Sequence, residues 1–328
     1  MDEATQECRL CGSTGPHQTT AVREMMFGTQ ELFYYYCCAA CETLQIVNVP
    51  KGEELARHYP PDYYSYAVLA QPRVLQWLNT QRDRFELHTG GWVVGALLVA
   101  LSSGARAALG GAVRMLGQLG IERDARILDV GCGGGALLDR LSKAGFSNLC
   151  GADPFLASDG ETPRGVPLMK QNLSEVTGDF DLIMFNHSLE HVPDLVATLT
   201  AAGEKLASGG ICLVRVPTTS SEAWTIYRQD WVQLDAPRHI VIPSRQGMTV
   251  AADRAGLRVD RTFDDSNELQ FFGSEAYRRD VALTDPKIRQ IFRPKQIRDW
   301  RKRAERLNLQ GRGDQTGFVL RAKSNGDE

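Results

Sequence analysis

The stretch ILDVGCGGGALLDRL, Ile127 to Leu141, constrains the fold more than any other part of the chain. It reads as an apolar strand carrying Asp129, a turn with Gly131, Gly133, Gly134 and Gly135, and an amphipathic helix. Such a turn joins strand to helix tightly and lets backbone N–H groups approach a ligand at the helix N-terminus. From Arg126 to Phe263 the pattern continues: RILDVG, NLCGAD, VPLMK, FDLIMFN, ICLVRV and LRVDRTF alternate with helical stretches such as ALLDRLSKAG and LVATLTAAGEKLA. That alternation predicts a parallel sheet covered by helices on both faces. TGFVLRAKS reads as one more strand, reached after a long excursion that begins near Asp265.

The glycine turn alone leaves two ligands open, because Gly131-x-Gly133-x-x-Ala136 also satisfies the dinucleotide fingerprint. Asp129, two residues before the first glycine, favours a ligand with a cationic end such as S-adenosylmethionine, since a carboxylate sits awkwardly beside a pyrophosphate. Asp153, in GADP, can accept hydrogen bonds from ribose hydroxyls under either reading. A packing turn and a turn-forming Asp are the plain alternatives.

Five of the eight cysteines fall within the first 41 residues. Cys8/Cys11 and Cys38/Cys41 form two Cys-x-x-Cys pairs separated by a strand-rich stretch ending in ELFYYY, the pattern of a zinc ribbon. Four thiolates close a tetrahedron around Zn2+ and leave no position for water, so the expected role is structural. Cys37 is an alternative to Cys38. Cys132, Cys150 and Cys212 read as buried small hydrophobes.

With 43% hydrophobic and 23% charged residues over 328 positions, one main domain with appendages is expected. We place a zinc-ribbon module at 1–60, a helical linker or lid at 61–120, the α/β core at 121–265, and a basic excursion with the closing strand at 266–328. The net charge of −3 argues against nucleic acid as the partner. No basic segment leading into an apolar one opens the chain, so a cytoplasmic location is expected. GWVVGALLVALSSGA (91–105) is chargeless but falls short of the roughly 20 residues a membrane span needs. It reads as a packed helix, with peripheral membrane contact as the alternative.

From about Ile121 to Phe263, with a closing strand near Phe318–Lys323, the chain resembles the class I S-adenosylmethionine-dependent methyltransferases. LDVGCGGG, Asp153, the Asn172-Leu173 pair, FDLIMFNHSLEHVPD with Asn186 and His187, and KLASGGICLVRVP carry the likeness. The resemblance implies a Rossmann-like sheet of seven strands in the order 3-2-1-4-5-7-6, with strand seven antiparallel. It also implies cofactor contacts from Asp129, Gly131, Gly133, Gly135, Asp153, Asn172, Leu173, Asn186 and His187. A narrower likeness rests on the paired cysteines, PDYYSY, GADPF, NHSLEHV, WVQLDAPRH and FFGSEAYRRD. It is to methyltransferases of bacterial surface-polysaccharide and glycan biosynthesis, and implies a sugar or other small-molecule acceptor, free or linked to a nucleotide or lipid. Glu42 departs from the pattern by standing where a glycine usually follows the second cysteine pair.

Methyl transfer needs an aligned acceptor and, for a hydroxyl, a base. His191 is the first candidate for base, with Glu190 and His187 beside it at the sheet's C-terminal edge. WVQLDAPRH offers His239 as a rival base and Arg238 as a clamp for an anionic acceptor, with an Asp235–Arg238 salt bridge as the plain reading. Tyr227 and Trp231 are candidate walls for a sugar ring. Arg278 to Arg306 holds 11 Lys/Arg against 4 Asp/Glu, which reads as solvated helix or as a lid for phosphate. An RNA methyltransferase or RNA-binding protein and an NAD-dependent oxidoreductase remain the alternatives.

Overall fold

The computed structural model describes residues 3–4, 6–59, 72–101 and 106–323. PDYYSY lies outside the described residues. The chain opens with β1 (Glu3–Ala4), β2 (His17–Arg23), β3 (Leu32–Cys37) and β4 (Leu44–Ile46), an antiparallel meander. Among the described residues four helices follow: α1 (Glu53–Ala56), α2 (Arg73–Glu86), α3 (Val94–Leu101) and α4 (Arg106–Leu119). Helix α3 closes against α2 through Gly95, where an added Cβ would lie 2.4 Å from the Gln81 carbonyl oxygen. The packed helix expected there is only half realised, because Trp92, Val93, Leu97 and Leu101 are exposed. Among the described residues no helix is long and apolar enough to cross a membrane.

The α/β core then runs β5 (Ile127–Val130), α5 (Ala136–Ala144), β6 (Leu149–Ala152), β7 (Gly160–Glu161), β8 (Pro167–Met169), β9 (Phe180–Asn186), α6 (Leu195–Glu204) and β10 (Leu206–Pro217). Beyond it lie α7 (Glu222–Tyr227), β11 (Val241–Ile242), α8 (Arg245–Arg254), β12 (Leu257–Asp264), α9 (Leu269–Tyr277), α10 (Ile288–Ile291), α11 (Pro294–Leu309) and β13 (Gln315–Ala322). The large sheet has the order β12-β13-β10-β9-β5-β6-β8-β7. Apart from β7 this is the order the resemblance implies, read from its other edge, with β13 antiparallel to both neighbours. The sheet has eight strands rather than seven because the two-residue β7 pairs antiparallel with β8 at the edge.

The near-continuous apolar runs of β5 and β9 follow from burial on both faces. Leu128, Ile183 and Phe185 enter one core with α6 and α8, while their neighbours Ile127, Leu182 and Met184 enter a second core with α4 and α5. Helix α5 buries Leu138, Leu141 and Ala144 along one face and stops at Gly145, whose φ of 108° suits a residue without Cβ.

The N-terminal meander is not self-contained. Its fifth strand is β11, paired antiparallel with β4 some 200 residues earlier in the chain. Leu10, Tyr35, Leu44 and Ile46 belong to the same core as Phe185 and Val214. The boundary expected at residue 60 therefore cuts through a continuous apolar interior.

Candidate active site

A cleft of about 540 Å3 opens at the C-terminal ends of β5, β6 and β9, the edge where open α/β sheets bind ligands. Gly131 and Gly133 line it, both at positive φ. The Gly133 N–H donates to Asp153 Oδ2 at 2.9 Å, and the Phe155 N–H donates to Asp153 Oδ1 at 2.9 Å. Two backbone bonds thus fix the Asp153 carboxylate at the end of β6 with lone pairs to spare. Phe155 lines the mouth and is 74% exposed, an apolar ring beside that carboxylate.

Not every glycine of the loop serves a ligand. An added Cβ at Gly131 would lie 2.4 Å from the Ser188 side chain, and one at Gly135 would strike Thr162 and Leu168. Gly135 starts α5 and does not line the cleft, so for it the packing reading replaces cofactor contact.

Asp129 lies behind the loop, almost fully buried. Burial, and then the charge of Asp153, raise its pKa to about 7, and its Oδ1 has no hydrogen-bond partner. Asn172 and Leu173 line the cleft, and Asn172 caps a short turn whose Glu175 accepts its backbone N–H at 2.7 Å. Asn186 is a correction. Its side-chain oxygen accepts from Arg215, and it does not line the cleft.

His187 and His191 line the wall after β9. His187 adopts φ 57° and places Nδ1 3.6 Å from Glu190 Oε1. His191 Nδ1 lies 2.8 Å from the Arg238 carbonyl, an acceptor, so Nδ1 carries the proton and Nε2 a lone pair. Burial, and then the charge of His239, lower the His191 pKa. His239 is a correction among the candidate bases, for it is buried and outside the cleft lining. Its Nδ1 donates to the Gln233 carbonyl at 2.7 Å, and its Nε2 lies 3.8 Å from Glu190 Oε1. Glu190 is fully buried. Burial opposes its charge, yet contact with His187 and the charges of His191 and His239 hold its pKa down at about 2.

Arg238 is not a substrate clamp. It is wholly buried, with its guanidinium bonded to Asp235, to Glu24 at 2.8 Å and to the His58 carbonyl. Glu24, which also accepts the N–H groups of Phe27 and Thr29, gave no signal in sequence because its partner lies 214 residues away. Trp231 and Tyr227 are buried as well, and the Trp231 indole N–H donates to Asp314 at 3.1 Å, so neither walls the cleft. In the basic excursion Arg301 pairs with Glu268 and Arg303 with Glu222, and none of its described side chains lines the cleft, which does not support the lid reading.

In the N-terminal meander the structure brings Cys8, Cys11, Cys38 and Cys41 together, with Sγ atoms 3.6 Å apart for Cys8–Cys41 and for Cys11–Cys38. Tetrahedral zinc with Zn–S near 2.3 Å needs about 3.8 Å, so the four sulfurs fit the ion. The two pairs repeat one turn: Gly12 N–H donates to the Cys8 carbonyl and Glu42 N–H to the Cys38 carbonyl, each at 2.9 Å. Gly12 has φ 75° and Glu42 φ 58°, so Glu42 adopts the left-handed conformation that glycine would take. The Cys37 thiol turns away, toward the Glu42 carbonyl.

Among curated proteins, the ubiquinone biosynthesis O-methyltransferase of Rhizobium etli is 32% identical over 99 residues, covering 27% of this chain and 40% of that one. That of Cereibacter sphaeroides is 30% identical over 132 residues, 34% of this chain and 50% of that one. The chain thus spans half or less of the length of these relatives. Among solved structures, an S-adenosylmethionine dependent methyltransferase from Mesorhizobium loti aligns with a TM-score of 0.39 at 18% identity, over 65% of this chain and 98% of that one. Residues 105–262 match the family described as Methyltransferase domain. Gly131, Gly133, Asp153, His187, Glu190, His191 and His239 all lie inside that match, as does every cleft-lining residue but Tyr59.

Proposed function

We propose that the protein is an S-adenosylmethionine-dependent methyltransferase acting on a small-molecule or glycan acceptor. The observation that carries this reading is the pairing of Asp153, held at the cleft by Gly133, with Asp129, which is not itself a lining residue but lies buried next to the lining residues Val130 and Gly131 with an oxygen that lacks a donor. A nucleoside with a cationic amino acid tail supplies both needs: ribose hydroxyls for Asp153 and an ammonium for Asp129. A dinucleotide could use Asp153 in the same way but would bring its pyrophosphate toward Asp129. Bound there, the cofactor supplies a methyl group already activated on a sulfonium.

The chain's own work is then to bind, orient and deprotonate. Phe155 offers an apolar face for the base of the nucleoside, and Asn172 and Leu173 close the same side. His187, with Glu190 behind its Nδ1, and His191 are the imidazoles that face an acceptor across the cleft. A sugar hydroxyl or carbon, free or nucleotide- or lipid-linked, in cytoplasmic surface-glycan or secondary-metabolite synthesis is the acceptor class. Its support is the resemblance carried by NHSLEHV, WVQLDAPRH and FFGSEAYRRD. Structural Zn2+ on the four clustered cysteines completes the assignment.

The decisive experiment is isothermal titration of the protein with S-adenosylhomocysteine and with NAD, followed by mass spectrometry of cell extracts with and without the gene. The reading expects nucleoside binding and one species heavier by a methyl group. Binding of NAD alone would overturn it.

A further inference from the structure

Behind the cleft wall, Glu190, His191 and His239 place one potential ligand atom each within 4.8 Å of one another. Glu190 follows β9 in a short turn, is 0% exposed, and neither of its oxygens accepts a hydrogen bond. A buried carboxylate left so is costly. The nearest nitrogen, His187 Nδ1, stands 3.6 Å from Oε1, beyond hydrogen-bond distance, and the other two imidazoles do not answer the need as they stand. Both imidazoles donate their Nδ1 protons to backbone carbonyls, His191 to Arg238 at 2.8 Å and His239 to Gln233 at 2.7 Å. In the neutral form each ring therefore keeps a lone pair on Nε2. The 3.8 Å between His239 Nε2 and Glu190 Oε1 is too long for a proton to bridge as a hydrogen bond.

The surroundings add to the deficit of positive charge. Glu24 and Asp235 share one guanidinium, that of Arg238, and Asp235 Oδ2 also lies 3.9 Å from His239 Nε2. Histidines whose Nδ1 protons are tied to carbonyls are the usual second-sphere arrangement for imidazole ligands, because the tie fixes both the tautomer and the ring direction.

We propose that Glu190, His191 and His239 form a binding site for a divalent transition-metal ion. Two imidazoles and one carboxylate suit Zn2+, Fe2+, Co2+ or Mn2+ and not the all-oxygen preference of Ca2+ or Mg2+. Bonds of about 2.0–2.1 Å require the three ligands to draw in by roughly an ångström, which His191, half-buried at the cleft wall, can supply by a small ring movement. Three protein ligands leave a position open, and of the three only His191 lines the cleft from which a further ligand could enter. The site itself does not depend on the methyl-transfer reading. Its use does, and on that reading it selects acceptors that bring an oxygen donor beside His187.

The test titrates full-length protein, its cysteine site loaded with zinc, with Co2+ while visible absorption is recorded. The expected result is saturable binding of one Co2+ with d–d bands and without thiolate charge transfer, which separates this site from the cysteines. His239→Ala and Glu190→Gln should each weaken it at least tenfold. Thermal melts without cobalt check folding, and His191→Ala decides in place of any variant that fails to fold. Absence of saturable sulfur-free binding, or unchanged affinity in the folded variants, would overturn the site. Titration of the same samples with S-adenosylhomocysteine keeps the two proposals apart, since a lost cobalt signal with intact nucleoside binding sinks only the metal site.

Discussion

The carboxylate of Asp153, at the end of β6, holds the backbone N–H of Gly133, in the turn after β5, at 2.9 Å. One side chain therefore shapes the loop and faces the cleft. Asp153→Ala should weaken S-adenosylhomocysteine binding at least tenfold, about 1.4 kcal/mol. Asp153→Asn, which keeps one acceptor oxygen, should fall between the variant and the parent. Equal affinities by titration calorimetry would remove Asp153 from the cofactor site.

Asp129 makes binding and stability depend on pH in opposite senses. With its folded pKa at about 7, above the unfolded value, the folded state holds a proton that the unfolded state has lost. Stability of the free protein should accordingly fall as pH rises from about 4 to about 7 and level off above. Asp129→Asn should flatten that slope and stabilise the free protein at pH 8 by up to about 4 kcal/mol. A cationic ligand prefers the ionised carboxylate, so nucleoside affinity should rise with pH to about 7 in the parent and not in the variant. Denaturant melts and calorimetry across that range check both.

On the proposed zinc reading the protein should carry zinc ringed by four sulfurs, visible by X-ray absorption, and replacing Cys8 and Cys11 by serine should release it and lower the melting temperature. Zinc still ringed by sulfur in that variant would show that other thiols hold it.

Arg238→Ala should destabilise the fold by about 3–5 kcal/mol, because it leaves Glu24 and Asp235 buried without their counter-charge. Denaturant titration measures this. A raised KM with unchanged stability would restore Arg238 to the acceptor site.

If the methyl goes to a hydroxyl, His191→Ala, or failing it His187→Ala, should lower kcat by roughly 10²–10⁴ while nucleoside affinity stays near the parent value. Turnover near that of the parent in both variants would leave positioning as the whole mechanism.

The strand order and the glycine turn were legible because they rest on local signals, apolar runs and glycines between residues 126 and 263. The paired cysteines were legible for the same reason, each pair closing one short turn. What stayed hidden depends on contacts across the sequence. Arg238 reads as a free cation beside Asp235 until Glu24 and the His58 carbonyl are brought to it by the fold. Asn186 and Trp231 sit in segments that approach the cleft, but Arg215 and Asp314 draw their polar atoms elsewhere. Direction of a side chain at a strand end is set by such neighbours, and a motif carries no record of them.

The pairing of β4 with β11 bears on how this molecule can be taken apart. A chain cut between Ile46 and Arg73 would leave its first piece tied by that ladder, by the Tyr35 hydroxyl on the His239 carbonyl at 2.8 Å, and by Glu24 on Arg238. Two such fragments should co-purify and reassemble when made separately. The cysteine module is thus a keystone rather than a cassette: grafting it onto another core would require carrying residues 235–242 along, and deleting it would strip the backing from the turn that sets His239.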